Sequence, residues 1–327
     1  MSTMRAAYAA SFDPEQPLKA LVVGVIDEPP QPGEDWARVE VRASALNHHD
    51  LWSLRGVGLA ETQLPMVLGC DAAGVGPDGA EVIVSAVIGD ASRGDETLDP
   101  KRTLLSELHP GTLADMVWVP SRNLVPKPAG MSFTDAACLP TAWLTAYKML
   151  AHKGRVATGD AVLVQGAGGG VATAAVVLAQ ALGARVYATS RSAVKRQQIT
   201  ALGATALEPG ARLPERVQVV IETVGGPTID HSLKSTAPGG RVVVCGSTGG
   251  HLAEVDLRRV FFLQLELLGS TMGSRAELAE LTSLMTEHGI SPVIDAVYPF
   301  DQAADAFARL ESGEAFGKIV LDHSRGE

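Results

Sequence analysis

The chain is poor in cysteine: Cys70, Cys138 and Cys245 are its only three, and no two are close in sequence. That number in 327 residues excludes a disulfide framework and points to a reducing, cytoplasmic compartment. Positive charge is also short, with 27 Lys and Arg against 37 Asp and Glu, a formal net charge of −10. A basic surface for nucleic acid is therefore not expected. Long apolar runs are missing as well. The longest, Val171 to Leu182, is too short to span a bilayer and reads as a helix buried on a sheet. The apolar patch after Arg5 is only a few residues, and Asp13-Pro14 follows it, so no secretory leader is expected. Aromatic residues make up 5%, while apolar residues reach 46%, enough for large cores. The length gives a prior of about two domains.

What is present is a strand, a glycine turn and a helix in succession. Ala161 to Val164 is a short apolar run. Gly166-Ala167-Gly168-Gly169-Gly170-Val171 follows, then a charge-free apolar stretch that stops at Gly183. Written as a dinucleotide fingerprint, the turn is Ala167-x-Gly169-x-x-Ala172. Gly169 lets the backbone approach a pyrophosphate, and Ala172 lets the helix pack close on the strand. The free N–H groups and the dipole of the helix N-terminus favour the phosphates. A second strand at Arg185 to Ser190 supplies the context the motif requires. An acidic residue at the end of that strand would hold an adenine ribose; here the place holds Ser190, with Arg191 next and Lys195 one turn on. A serine and two cations suit a 2′-phosphate through charge-assisted hydrogen bonds, so NADPH is expected rather than NADH. The plain alternative is that Arg191 and Lys195 are solvated helix-start residues.

The remaining pattern divides in two. Up to about residue 122 it is β-rich, with strand-like alternation at Leu18–Val25, Trp36–Ala43, Glu81–Val87 and Leu113–Val119. Residues 89–110 are polar, without a period, and read as a surface lobe or long loop. From Phe133, helical pattern alternates with short strands at 162–164, 186–189, 205–207, 217–221, 241–245 and 265–270, which means a parallel sheet with crossovers. The helix 274–288 has Ser274 as its cap and Gly289 as its stop. A strand at 293–298, a helix from Asp301 and a strand at 318–321 complete the chain. The expected fold class is α/β.

Several segments together resemble the medium-chain dehydrogenase/reductase superfamily, most closely its zinc-less quinone oxidoreductase branch. They are Ala45-Leu46-Asn47-His48-His49-Asp50-Leu51-Trp52 with Arg55-Gly56, Leu68-Gly69-Cys70-Asp71-Ala72-Ala73-Gly74, and Leu139-Pro140-Thr141-Ala142-Trp143-Leu144-Thr145-Ala146-Tyr147. The glycine turn, Glu222-Thr223-Val224-Gly225-Gly226, Pro238-Gly239-Gly240-Arg241 and Phe316-Gly317-Lys318 extend the likeness over nearly the whole chain. The resemblance implies a GroES-like β-rich catalytic domain, 1–122 with 294–327, and a Rossmann domain, 123–293, inserted within it. It also implies a homodimer joined through the edge strand 263–270. Two segments, 75–81 and 208–216, are shorter than their usual counterparts.

Zinc ligands of the alcohol dehydrogenases in this superfamily fall at Asn47, at Cys70 with Asp71, and at Thr141. Catalytic zinc needs three protein ligands from His, Cys, Asp and Glu, and only Cys70 and Asp71 qualify. His48 and His49 are out of register with the ligand position and read as a polar strand-to-loop segment. The lobe 89–110 holds no cysteine for a structural zinc. The expected chemistry is metal-free hydride transfer from NADPH to a quinone or an activated alkene, by placement and hydrogen bonding and without an essential acid. Cleft residues implied by the resemblance are Asn47, Asp50, Trp52, Cys70, Thr141 and Thr145. Asn47 would hold the nicotinamide ribose or the substrate oxygen, and Thr145 would lie near the carboxamide. Trp52 would stack on a flat substrate or pack in a core. Asp50 would fix the local backbone, and Cys70 would be a small buried hydrophobe. Cys245, Gly246 and Ser247 end a sheet strand and should pass under the nicotinamide. A zinc alcohol dehydrogenase and a non-catalytic NADPH-binding protein, crystallin-like or a sensor, stay open as alternatives.

Overall fold

The computed structural model describes residues 2–324. They fall into two compact units, one formed by the chain up to Thr141 and from Met272 onward, the other by Ala142–Thr271. These limits differ from the boundaries read from proline punctuation. Strand Leu124–Pro126 pairs with Glu81–Val84, and the helix Arg275–His288 packs on that strand. Backbone pairing across forty residues leaves no mark in local composition.

The first unit is β-rich. A three-stranded sheet has the order 21–27, 3–9, 66–67, and a larger sheet runs 124–126, 81–84, 71–75, 36–45, 318–322, 294–299, with 116–120 also paired to 36–45. Trp36–Ala45 shows why the sequence alternates: Ala37, Val39, Val41 and Ala43 are buried while Arg38, Glu40 and Arg42 are not. The expected strand at 18–25 begins only at Leu21, because Pro17–Ala20 is a tight 3-10 turn. The most consequential pairing is the last one. Lys318–Asp322 lies antiparallel to Trp36–Ala45, with Val320 opposite Ala45, and carries Lys318 to Asn47.

The second unit holds one parallel sheet in the order 205–207, 185–189, 161–164, 217–222, 236–244, 266–269. In chain order this is 3-2-1-4-5-6, the doubly wound dinucleotide arrangement. Val162, Leu163 and Val164 are fully buried. Helix Gly170–Ala181 packs on the first two strands through Ala172, Ala175, Val176 and Ala179. The unit's strand at Glu266–Gly269 pairs on one side only, with 236–244.

Two expectations require correction. Phe133 to Leu150 is not one α-helix. It is α-helical over Phe133–Ala137 and Leu144–Tyr147, and wider π-helical turns occupy Leu139–Trp143 and Lys148–Lys153. An extra residue per turn is invisible to an apolar count, and such bulges gather at functional segments. The segment at His48–His49 is not strand-to-loop but the first turn of the helix His48–Leu54. Asp50 turns the chain there, as described next.

Candidate active site

Asn47 closes the long strand and precedes the helix His48–Leu54. The Asp50 carboxylate accepts the Asn47 backbone N–H at 2.8 Å and the Gly69 N–H at 3.1 Å. It thereby ties two segments of the first unit together and satisfies an orphan helix donor. Burial pushes the Asp50 carboxyl up to about 6, against the charge of His49 and the Asn47 N–H, which pull it down.

A buried polar knot sits beside it. Lys318 Nζ donates to Leu46 O at 2.7 Å, Asn47 Oδ1 at 2.7 Å and Asp71 Oδ2 at 2.9 Å. Asn47 Nδ2 donates to the same Asp71 oxygen at 2.9 Å. Lys318 and Asp71 keep side-chain exposures of 2% and 0%. All three ammonium donors are used, as burial of a charge requires. Lys318 has no candidate role in the sequence reading, although Gly317-Lys318 is among the motifs it quotes. Its pairing with Asp71 spans 247 positions.

Cys70 is almost fully buried, and its thiol donates to Leu105 O at 3.3 Å. Its sulfur lies 3.6 Å from His49 Nδ1 and 3.7 Å from Ser106 Oγ. His49 Nε2 lies 3.3 Å from Glu107 Oε1. Glu107 in turn accepts the Leu104 N–H at 3.0 Å. Residues 89–110 therefore do more than form a surface lobe: their end delivers Ser106 and Glu107 to Cys70 and His49. Sequence reading gave none of His49, Ser106 and Glu107 a place in the site. The one available signal was a histidine and a carboxylate flanking the ligand-position cysteine, with no spacing to join them. Burial raises the Cys70 thiol, with His49 opposing. Burial also works against charging His49, yet Cys70 and Glu107 more than reverse it and raise the imidazole above its ordinary 6.5. Burial likewise opposes the Glu107 charge, but bonds from His49 and the Leu104 N–H hold it below the usual carboxylate range.

The other implied cleft residues are placed as follows. Trp52, on the same short helix as His49, is 39% exposed and is not in a core. Thr141, the last residue before the second unit, has a buried hydroxyl with no hydrogen-bond partner. Thr145 belongs to the second unit and is buried.

Zinc does not fit this donor set. Of the three ligand positions, Asn47 offers an amide already bonded to Lys318 and Asp71, and Thr141 offers a hydroxyl. The Cys70 thiol is spent on a carbonyl, and Asp71 is paired with Lys318. Among the described residues no group of three or more His, Cys, Asp and Glu side chains is disposed to hold a metal ion.

The second unit contains a cradle with the shape of a phosphate site. Gly166 and Gly168 adopt φ of +69° and +146°, conformations that favour glycine. A Cβ on Gly166 would stand 2.3 Å from Val224, and one on Gly168 2.7 Å from the Lys195 stem. Open space lies over Gly169, the N-cap of the helix Gly170–Ala181. The Thr189 carbonyl accepts the Ala167 N–H at 2.7 Å and holds the turn to the next strand. Ser190 ends that strand, Arg191 is exposed, and the Lys195 stem lies against Gly168. Arg196 is committed elsewhere, to the carbonyls of Ser190 and Arg191 and to Glu208. Cys245, Gly246 and Ser247 follow the strand Thr236–Val244, and burial pushes the Cys245 thiol up to about 12. Glu222 fixes the neighbouring turn. Its buried carboxylate accepts the Val224 and Gly225 N–H groups and the hydroxyls of Thr228 and Ser232.

Comparison with known proteins agrees with both halves. Residues 33–129 match the alcohol dehydrogenase GroES-like domain, and residues 197–321 match the family described as zinc-binding dehydrogenase. The chain is 31% identical to 2-methylene-furan-3-one reductase of Solanum lycopersicum, over 88% of this chain and 72% of that protein. A crystal structure of an NAD-dependent alcohol dehydrogenase superposes with a TM-score of 0.87 at 34% identity, covering 98% of this chain and 100% of that one. The 2-octenoyl-CoA carboxylase reductase CinF, in complex with NADP and 2-octenoyl-CoA, superposes with a TM-score of 0.90 at 25% identity, covering 100% and 89%.

Proposed function

Because this chain belongs to the medium-chain dehydrogenase/reductase superfamily, we propose that it is an NADPH-dependent reductase of activated alkenes or quinones that works without a catalytic metal. The observation that carries the reading is the donor set at the zinc-ligand positions: an amide, a thiol bonded to a carbonyl, and a hydroxyl. Quinones and α,β-unsaturated carbonyls accept hydride without a Lewis acid. A saturated alcohol needs its alkoxide stabilised, which is zinc's contribution in such enzymes. Reduction of alkenes is in keeping with the furanone reductase and the octenoyl-CoA enzyme among the relatives. When bound, NADPH supplies the hydride; the protein supplies position, dryness and hydrogen bonds. The glycine turn at 166–170 and the helix N-terminus would take the pyrophosphate, and Ser190, Arg191 and Lys195 the 2′-phosphate. An NADPH-oxidation panel of quinones, 2-alkenals and enoyl thioesters tests the reading. Turnover of none of them would remove it.

The second reading, a zinc alcohol dehydrogenase, is favoured by the NAD-dependent alcohol dehydrogenase among the solved relatives. Elemental analysis separates the two. We expect no stoichiometric zinc in the purified protein. One zinc per chain, with alcohol oxidation lost on chelation, would reverse the choice.

Cofactor choice has its own test. Arg191→Ala should weaken NADPH binding more than NADH binding, by about 1.5–3 kcal/mol for a charge-assisted hydrogen bond. Fluorescence titration with each cofactor measures this, and equal losses would count against the 2′-phosphate assignment. The protein is further proposed to be a homodimer joined at the strand Glu266–Gly269. That edge is bare, and Leu257, Phe261, Phe262 and Leu267 are exposed near it in sequence. Light scattering at micromolar concentration should give twice the chain mass; a monomer mass would refute the dimer.

A further inference from the structure

We propose that His49 is the proton donor of the reduction, held between Cys70 and Glu107 so that each ring nitrogen faces an acceptor. The inference deepens the reductase reading and rests on it. It also replaces the expectation that no acid is essential.

The argument is one of hydrogen-bond supply. Cys70 sends its own proton to Leu105 O, so the sulfur is left to accept from His49 Nδ1 at 3.6 Å. Glu107 accepts only, and faces Nε2 at 3.3 Å. A neutral imidazole has one N–H and would leave one of these acceptors facing a lone pair. The imidazolium satisfies both. Glu107 is itself fixed, since Oε2 takes the Leu104 N–H and its carbonyl takes Gln63 Nε2 at 2.8 Å. Asp50, the other charge acting on the ring, favours the same form. The ring retains 19% exposure while Cys70 retains 1%, so the imidazole and not the thiol can meet a substrate. Cys70 also stands at a position where the resemblance puts a zinc ligand. A protonated ring beside it would place positive charge at the position where zinc relatives carry their metal.

The step balances without a metal. The substrate's β-carbon receives the hydride of NADPH, and the π electrons of the double bond move to the carbonyl oxygen. That oxygen takes the Nε2 proton, giving an enol and a neutral imidazole. The enol becomes the saturated carbonyl compound in water, and solvent returns a proton to the ring past Glu107. Cys70 and Glu107 act as positioning residues.

Two measurements test this. In 15N-histidine NMR of the free protein, with His49→Gln to assign the signal, both ring nitrogens of His49 should be protonated at neutral pH. Glu107→Gln should move the ring's titration to lower pH. In kinetics, His49→Phe should lower kcat for an enone by about 10²–10⁴-fold, the usual range for a general acid, with NADPH binding unchanged. A neutral ring at pH 7 would overturn the proposal, as would a folded His49→Phe protein that reduces the enone at the wild-type rate. A wild-type protein that reduces neither enone nor quinone would sink the reductase reading, and this proposal with it.

Discussion

Lys318→Met should destabilise the protein by about 3–5 kcal/mol, the usual consequence of removing one member of a buried ion pair. The substitution leaves Asp71 charged at 0% exposure, with the Asn47 amide as its one remaining side-chain donor. It also strips Leu46 O and Asn47 Oδ1 of the ammonium that serves them. Asp71 Oδ1 already has no partner, so the site has no spare donor to redistribute. The double variant Asp71→Leu/Lys318→Met should recover much of the loss, because it removes both charges and fills the volume with apolar atoms. Chemical denaturation of the two variants checks this. A single-variant loss below about 1 kcal/mol, the range of an exposed pair, would mean that solvent reaches the knot. The experiment bears on function as well as stability. The knot holds Asn47 at the start of the helix that carries His49 and Trp52, so any residual activity of Lys318→Met should show disturbed substrate placement.

Acid sensitivity should trace in large part to one histidine. His323 is buried against the Phe300 ring at 4.6 Å, and its Nε2 lies 2.7 Å from Ser44 Oγ. Its other nitrogen, Nδ1, is buried without a partner. Burial holds its pKa down at about 3, with Arg5 adding to the depression and Asp115 and Asp322 opposing it. The unfolded chain takes up this proton below about 6.5, whereas the folded protein refuses it until about 3. Between those values the unfolded state binds more protons, so stability falls as pH falls, by about 1.4 kcal/mol per pH unit. Above 6.5 the contribution is constant. His323→Gln should flatten the stability profile between pH 6.5 and 4.5 by about 2–3 kcal/mol relative to wild type. Parallel profiles for the two proteins would show that His323 is protonated, or solvated, in the folded state.

The sequence by itself determined whatever depends on neighbours in the chain. The strand Ala161–Val164, the glycine turn and the helix Gly170–Ala181 follow from an apolar run, positive-φ positions and a stop within twenty-odd residues. Ser274 and Gly289 bracket the helix Arg275–His288 for the same reason: caps and stops act through bonds to the adjacent turn. The sequence of strands and helices was enough to give a parallel sheet. The zinc question, too, was posed by residue type alone at Asn47, Cys70 and Thr141.

Only the tertiary structure decided the chemistry around those positions. Asn47 could be read as a free amide waiting for cofactor or substrate, but Lys318 and Asp71 engage both of its ends. Ser106 and Glu107 sit in a stretch with no period at all, yet that stretch folds back 36 residues from Cys70 and 58 from His49. The wide turns at Leu139–Trp143 and Lys148–Lys153 interrupt a helix whose apolar pattern is unbroken. Hydrogen-bond supply at a buried group is settled by whichever donor or acceptor the fold delivers, over distances that carry no local signature. The elements were therefore legible from the chain, and the partners of its polar side chains were not.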